Sequence, residues 1–259
     1  MKLLVCGGRD FTDVQFVFRQ LENIYKQVGE ITTIVHGGAN GADKTAGVFA
    51  EAFNIPTEVY EANWSRYGKA AGIMRNKEML EKSKPDGLMA FPGGRGTTHM
   101  WNHTSKMSPE IRYWRSQAVL FRKEDPIYGF LSNFAPGFGF TDENGDWNET
   151  SEHGFQARKA IRTEDRRYIL EAPTPSDAKN RGGEVLTFDN WDQRRKKAML
   201  DTLKLKFAEG TEAAEMLINT GIDYLMENSP WDSYWGIGKD RKGENNLGCL
   251  LMSVRDLFL

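Results

Sequence analysis

The 259-residue chain has little cysteine, little histidine, no long apolar run and no excess of one charge. Its two cysteines, Cys6 and Cys249, lie near opposite ends, and neither has a Cys or His at zinc-ligand spacing. That excludes a disulfide framework and a structural zinc, and points to two reduced thiols packed as small hydrophobes in a cytoplasmic protein. The four histidines (His36, His99, His103, His153) are scattered, so no metal site is expected. No stretch approaches the roughly 18 apolar residues of a membrane helix, and the start lacks a secretory apolar region, so no membrane partner is expected. Net charge is −2, with +2 over residues 1–112 and −4 over the remainder. Neither half is a basic nucleic-acid platform, although a nucleic acid touched locally as substrate stays open.

What is present is enough apolar and aromatic side chain for cores, 39% and 12%. At roughly 100–200 residues per domain the length allows two modest domains. The first reads as strand–helix alternation. Leu3–Cys6 is a short apolar run ending in Gly7-Gly8-Arg9-Asp10, and Phe11, Val14, Phe18, Leu21 and Tyr25 follow at helical steps. Ile31–Val35 is a second strand ending in His36-Gly37-Gly38-Ala39, with Gly41-Ala42-Asp43 opening a helix. Residues 56–60 and 87–91 give a third and a fourth strand around a helix over 68–82. The fourth ends in Pro92-Gly93-Gly94-Arg95-Gly96-Thr97. This pattern predicts a parallel sheet with three glycine-rich turns along one edge. A double glycine alone can be a simple tight turn. Three in the same position would present backbone N–H groups to an anion, with Arg9, Arg75 and Arg95 as phosphate partners.

After residue 103 the periodicity fades, and a junction at 112 gives domains 1–112 and 113–259. In the second, Tyr128-Gly129-Phe130-Leu131-Ser132-Asn133-Phe134 is either a hairpin loop or a polar-tipped site segment. Ser151 could cap a helix placing Glu152, Gln156 and Lys159 on one face. Glu152 could equally be a first-turn acid favoured by the helix dipole, with Lys159 solvated. Trp191 opens a helix whose Ala198, Met199, Leu203 and Phe207 form a core stripe. Arg194–Lys197 reads as a solvated face. Asp232 sits among Trp231, Tyr234 and Trp235, an arrangement suited to holding a ring or sugar beside a carboxylate. Asn245 and Asn246 could bind hydroxyls or cap a last helix over 247–259. Glu152 and Asp232, brought together from distant segments, point to glycosidic-bond cleavage.

Two resemblances follow from these residues. The turns at 7–11, 36–43 and 92–97, with Met74-Arg75-Asn76, resemble the SLOG superfamily, Rossmann-like domains related to the cytokinin-activating LOG enzymes. The resemblance implies an α/β Rossmann-like fold over about residues 1–110. It implies a site for a nucleotide-derived ligand built from Gly7, Gly8, Arg9, Asp10, Gly37, Gly38, Ala39, Asp43, Arg75, Gly93, Gly94, Arg95, Gly96 and Thr97. Self-association, where it occurs, is expected through this domain. LOG enzymes carry a catalytic Glu where this chain has Met100, so binding without cleavage is expected.

The second half resembles the NADAR family, which includes the YbiA-like N-glycosidases. The resemblance rests on the 128–134 segment, Ser151-Glu152-His153, Phe155-Gln156-Ala157, Lys159, Trp191, Lys206-Phe207, Thr220-Gly221, Glu227-Asn228-Ser229, Asp232, Tyr234-Trp235-Gly236, Gly238 and 245–248. It implies a mainly helical α+β fold, no cofactor, and hydrolysis of a ribosyl C1–N bond. Glu152 and Asp232 would stabilise C1 and protonate the leaving nitrogen, with their roles open between them. Lys159 would bind phosphate or form a Schiff base. Tyr128, Asn133, Gln156, Trp191, Tyr234, Trp235 and Asn245 would hold the substrate. The implied substrates are ADP-ribose on guanine, in a nucleoside or nucleic acid, or a ribosylaminopyrimidine phosphate of the riboflavin pathway. Sequestration of an ADP-ribose-like signal is the non-enzymatic alternative. Gly154 replaces an aromatic of relatives, a change expected to enlarge the pocket or to alter its specificity.

Overall fold

The computed structural model describes residues 1–258 and divides into two compact units, Met1–Gln117 and Ala118–Leu259. The first runs β1 (Lys2–Cys6), α1 (Val14–Val28), β2 (Thr33–His36), α2 (Ala42–Ala52), β3 (Thr57–Val59), α3 (Trp64–Tyr67), α4 (Ala71–Ser83), β4 (Gly87–Ala90), α5 (Arg95–Met107) and β5 (Arg112–Arg115). All five strands are parallel in the order β3-β2-β1-β4-β5, the doubly wound arrangement expected of a Rossmann-like half. The apolar run of β1 lies wholly inside from Leu3 to Cys6, as a central strand covered on both faces must. Helix α1 begins where Asp13 accepts the Phe16 N–H at 2.9 Å, buries Phe16, Val17, Leu21 and Ile24, and ends at Gly29.

Strand β5 corrects the expected junction at 112. Arg-Tyr-Trp-Arg alternates charged ends with aromatics, the pattern of a half-covered edge. It pairs with β4 through Leu88↔Tyr113 and Met89↔Trp114. The first unit therefore extends to residue 117.

The second unit runs β6 (Ala118–Phe121), β7 (Phe140–Thr141), β8 (Trp147–Asn148), α6 (Ser151–Ala157), α7 (Thr163–Leu170), α8 (Pro175–Glu184), α9 (Trp191–Lys206), α10 (Glu212–Ile218), β9 (Tyr224–Glu227) and α11 (Asn246–Arg255). It is mainly helical, with a parallel pair β6–β9 and a short antiparallel ribbon β7–β8. The last helix stops at Arg255, short of the expected 259; Leu259 lies outside the described residues. Met199, Leu203 and Phe207 are fully buried along α9, as their spacing predicts. Helix α6 is buried on every side although it reads Ser-Glu-His-Gly-Phe-Gln-Ala. Its polar side chains need internal partners. His153 Nδ1 meets Thr150 Oγ1 at 2.9 Å and Nε2 meets the Ala172 carbonyl at 3.0 Å. Thr150, not Ser151, is the N-cap.

Close backbone approaches fix the glycine turns of the first unit. A Cβ on Gly41, at φ +78°, would lie 2.1 Å from the Gly8 carbonyl oxygen; Gly29, at φ +82°, has open space. Gly41→Ala is expected to destabilise the first unit by roughly 2–4 kcal/mol, and Gly29→Ala by only about 1 kcal/mol. Urea unfolding of both variants checks the contrast; equal losses would mean that the approach of Gly41 to Gly8 is not a constraint.

Candidate active site

The first unit carries a cleft of about 680 Å³ at the carboxyl ends of β1 and β4, where the strand order reverses. Gly7, Gly8, Arg9, Asp10, Ala39, Asp43, Arg75, Gly94, Arg95, Gly96 and Thr97 line it, as expected from sequence. Gly37 and Gly38 instead line an adjoining cleft of about 350 Å³. Gly93 lines neither: it packs on Thr97 and Gly8, where a Cβ would come within 2.2 Å of Thr97 Oγ1.

Two expected ligand residues are committed to the fold. Asp43 accepts the Gly37 N–H at 3.1 Å, and the N–H groups of Ala39 and Gly7 also bond to it. Burial raises its carboxyl, while Arg75 and these N–H groups oppose the rise. Arg75 lies 3.8 Å from Asp43 and donates to the carbonyls of Gly37 and Tyr60. The guanidinium occupies the space where a Gly37 side chain would stand. Missed by the sequence reading were Trp64, on which Arg9 stacks at 5.0 Å, and Lys69 and Asn76, which also line the cleft. Met100 is fully buried in the core with Leu4, Cys6, Val35 and Met79.

The second unit holds a smaller cavity, about 200 Å³. It gathers Asn133, Glu152, Gln156, Lys159, Trp191, Asp232 and Trp235 from four segments distant in sequence. Phe134, Phe155, Lys179, Arg195 and Glu227 complete it. Helix α6 supplies Glu152, Phe155 and Gln156 from one face, and Lys159 follows two residues beyond its end. Phe155 packs between Trp191 and Trp235, with ring centroids 5.4 Å away in each case. The Lys159 ammonium lies 6.0 and 5.9 Å from the Phe155 and Trp191 rings.

Three carboxyl groups share this cavity. Burial raises Glu152; its Gln156 hydrogen bond (2.6 Å), Lys179 and Lys159 oppose, and Asp232 reinforces. Burial likewise lifts Glu227 to about 7, with Asp232 and Glu152 pushing the same way. Burial lowers Lys159 although Glu152 attracts its charge, and Lys179 lowers it further. Acid and amine both shift toward their neutral forms, so desolvation outweighs their mutual attraction. Asp232 Oδ1 accepts the N–H groups of Tyr234 and Trp235 at 2.9 and 2.7 Å, which fixes the turn that carries it. Asn133 Oδ1 and Gln156 Oε1 are buried without a hydrogen-bond partner among the described residues, and Gln156 Oε1 packs against Gly182.

Three expected substrate residues lie outside the cavity. Asn245 spans β9, accepting the Glu227 N–H at 3.0 Å and donating to the Leu225 carbonyl at 2.9 Å. Tyr128 belongs to a turn held by Asp125. Tyr234 supports Trp235 edge-on and takes the Arg195 guanidinium on its face at 3.5 Å. Gly154 does not widen the pocket; it faces Asn148 and Phe140, which a Cβ would meet at 2.8 and 3.0 Å. Trp231, expected beside Asp232 as a pocket wall, is 92% exposed. Glu227 was visible only as part of a motif, and Arg195 was hidden in a basic run.

Lys206 sets the pocket's floor from outside it. Fully buried, its ammonium donates to the carbonyls of Phe130 and Ser132 and lies 5.4 and 5.0 Å from the Phe138 and Phe207 rings. The turn it grips carries Asn133, whose carbonyl accepts the Glu152 N–H at 3.0 Å.

A parallel α/β unit with glycine turns is thus joined to a mixed unit whose acid-lined, aromatic-walled cavity suits a sugar. The chain belongs to the NADAR domain family, whose model matches residues 120–259; a model of the YspA, cpYpsA-related SLOG family matches residues 1–67. Similar proteins include N-glycosidase Npun_R5314 of Nostoc punctiforme, 37% identical over 53% of this chain and 90% of that protein. N-glycosidase YbiA of Escherichia coli is 34% identical over 56% of this chain and 95% of that protein. The chloroplastic riboflavin biosynthesis protein PYRR of Zea mays is 32% identical over 80% of this chain, which spans 36% of the maize protein's length. The NMR structure of E. coli YbiA matches with a TM-score of 0.50 at 33% identity, over 54% of this chain and 84% of that one. These relatives support an N-glycosidase-type function. Among the described residues no helix is long and apolar enough to cross a membrane.

Burial alone brings Lys206 down to about 7. Between about 7 and the unfolded lysine value of about 10.4, the unfolded chain holds one more proton, so stability rises with pH. Wild type minus Lys206→Met is expected to show that rise, up to about 1.4 kcal/mol per pH unit, in urea midpoints. A flat difference would show that Lys206 is not buried as described.

Proposed function

We propose that the second unit is an N-glycosidase that hydrolyses a ribosyl C1–N bond, removing ADP-ribose from guanine in a nucleoside or nucleic acid. The observation that carries the reading is one small cavity holding three carboxyls, a desolvated lysine and two tryptophans. As the C1–N bond breaks, its electron pair leaves with the base nitrogen and positive charge grows at C1. The nitrogen needs a proton, and Glu227, held partly protonated near neutrality, can give one. Glu152 and Asp232 are the carboxylates for C1 and for the attacking water, whose oxygen ends on C1. Trp191 and Trp235 flank the ring, and the Asn133 and Gln156 side chains line the same cavity. Lys179 and Arg195 supply cations for a diphosphate.

Lys159 offers a second route. Its lowered affinity for a proton favours the neutral amine, which can add to C1 of the ring-opened sugar. The base then departs with its proton, leaving a C1=N bond to the lysine that water hydrolyses. Borohydride trapping of a lysine adduct, absent in Lys159→Met, separates this route from direct attack by water.

A second substrate reading keeps the chemistry and assigns a ribosylaminopyrimidine phosphate. It is favoured by relatives in Zea mays and Vibrio vulnificus named as riboflavin biosynthesis proteins. Incubation with ADP-ribosylated guanosine and with the pyrimidine compound, reading released base by mass spectrometry, decides between them. Wild-type kcat/KM is expected to fall as pH rises through about 7, as Glu227 loses its proton. Glu227→Gln should remove that limb and lower the rate by roughly 10²–10⁴-fold. Glu152→Gln should lose a similar factor; activity equal to wild type would sink its catalytic role.

For the first unit we infer binding of a nucleotide-derived ligand without cleavage. The N-terminus of α5, with Arg9 and Arg95, supplies N–H groups and charge for phosphate, while Met100 leaves a core thioether where LOG enzymes place a carboxylate. Calorimetry with ADP-ribose should give saturable binding that Arg95→Ala weakens about ten-fold; unchanged affinity would remove Arg95 from the site.

A further inference from the structure

The most exposed large aromatic side chain recorded in the protein lies one residue from the catalytic pocket. Trp231 is 92% exposed, yet the chain around it is fixed. Pro230 precedes it. The Asp232 side chain accepts the Tyr234 and Trp235 N–H groups, and its carbonyl accepts the Gly238 N–H at 3.2 Å. Trp191 and Trp235, by contrast, pack on Phe155. A rigid turn therefore holds one indole out in water beside the mouth-forming Asp232.

The loop that follows is basic and returns to the same place. It leaves at Gly238, bonded to Asp232, and closes where the Glu244 N–H meets the Ser233 carbonyl at 2.7 Å and the Gly243 N–H meets the Ile237 carbonyl at 2.8 Å. Arg241 takes a left-handed backbone (φ 60°) at its tip. Lys239, Arg241 and Lys242 are exposed along it, against Asp240 and Glu244, the latter approached by Lys196 from α9 at 3.8 Å. This is local positive charge in a chain of net charge −2.

We propose that Trp231 and the loop 238–244 form a platform for single-stranded nucleic acid, with a base neighbouring the modified one stacked on Trp231 and its phosphates on Lys239, Arg241 and Lys242. An exposed aromatic beside a basic strip is the arrangement that sequence-tolerant strand binding uses. The sequence neighbours Asn228, Ser229, Asp232 and Ser233 are polar. The proposal names the substrate class of the glycosidase pocket and in that respect rests on the reading above, but the platform is tested without turnover.

Fluorescence anisotropy with an unmodified single-stranded oligonucleotide of about 12 nucleotides tests it. Wild type is expected to bind. Trp231→Ala should weaken binding about ten-fold, with Trp231→Phe retaining most of it. Replacing Lys239, Arg241 and Lys242 by Ala should flatten the salt dependence. No binding by wild type, equal binding by Trp231→Ala, or equal affinity for blunt duplex would overturn the platform. With ADP-ribosylated guanine as substrate, the ratio of kcat/KM for oligonucleotide over nucleoside should fall about ten-fold in Trp231→Ala. Trp-dependent strand binding without release of base would leave the platform standing and remove the N-glycosidase reading instead.

Discussion

Glu152, Glu227 and Asp232 share one cavity of about 200 Å³ with Lys159 and Lys179, and the second unit is built around that crowding. Walled by Phe134, Phe155, Trp191 and Trp235, the cavity disfavours charge. Burial raises Glu152 and Glu227 and lowers Lys159, each toward its neutral form. The same condition makes such a pocket chemically useful, since a neutral carboxyl can donate a proton and a neutral amine can attack carbon. It also explains why α6, polar in sequence, lies wholly inside. Its Glu and Gln face the cavity and each other, and its His is satisfied by Thr150 and Ala172. Lys206, tied to two carbonyls and bearing no carboxylate partner, holds the turn on which this arrangement rests.

The first unit reaches a site by the opposite means. Its buried ion pair, Asp43 with Arg75, is spent on holding the turns after β1 and β2, not on a ligand. What remains at the cleft is backbone: the turns around Gly8 and Gly94, cross-braced where the Gly8 N–H meets the Pro92 carbonyl at 2.9 Å. A cleft bounded by the N-terminus of α5, with Arg9 and Arg95 exposed beside it, favours anions.

The glycine turns were the most legible part of the sequence because a strand's end and a close backbone approach leave few substitutes for glycine. The parallel order and the face joining Glu152, Gln156 and Lys159 followed from simple periodicity. The fifth strand was lost because Arg112–Arg115 is an edge, charged at both ends and cut by the expected junction. Glu227 was missed because nothing local marks the last residue of β9 as facing a cavity; its partners come from α6 and from the turn at 232. Arg195 is one of four consecutive cations, and only its seat on Tyr234 distinguishes it. Asn245 looked like a hydroxyl binder because an Asn pair before a helix is ambiguous, and its amide serves β9 instead.

Position 100 bears on our placing the chemistry in the second unit. Met100 lies on α5 with no exposure, against Leu4, Cys6, Val35 and Met79. A glutamate there would be an isolated buried carboxyl, neutral and without the lysines and paired acids that make Glu152 and Glu227 usable. Burial of the Cys6 thiol, pushed well above its ordinary value, shows how hostile that interior is to a negative charge. The difference between the two halves is therefore larger than one side chain. Acid chemistry needs several desolvated ionisable groups that the fold does not consume; Asp43 and Arg75 are tied to each other and to the turns, whereas Glu152, Glu227, Lys159 and Lys179 meet in the cavity around α6.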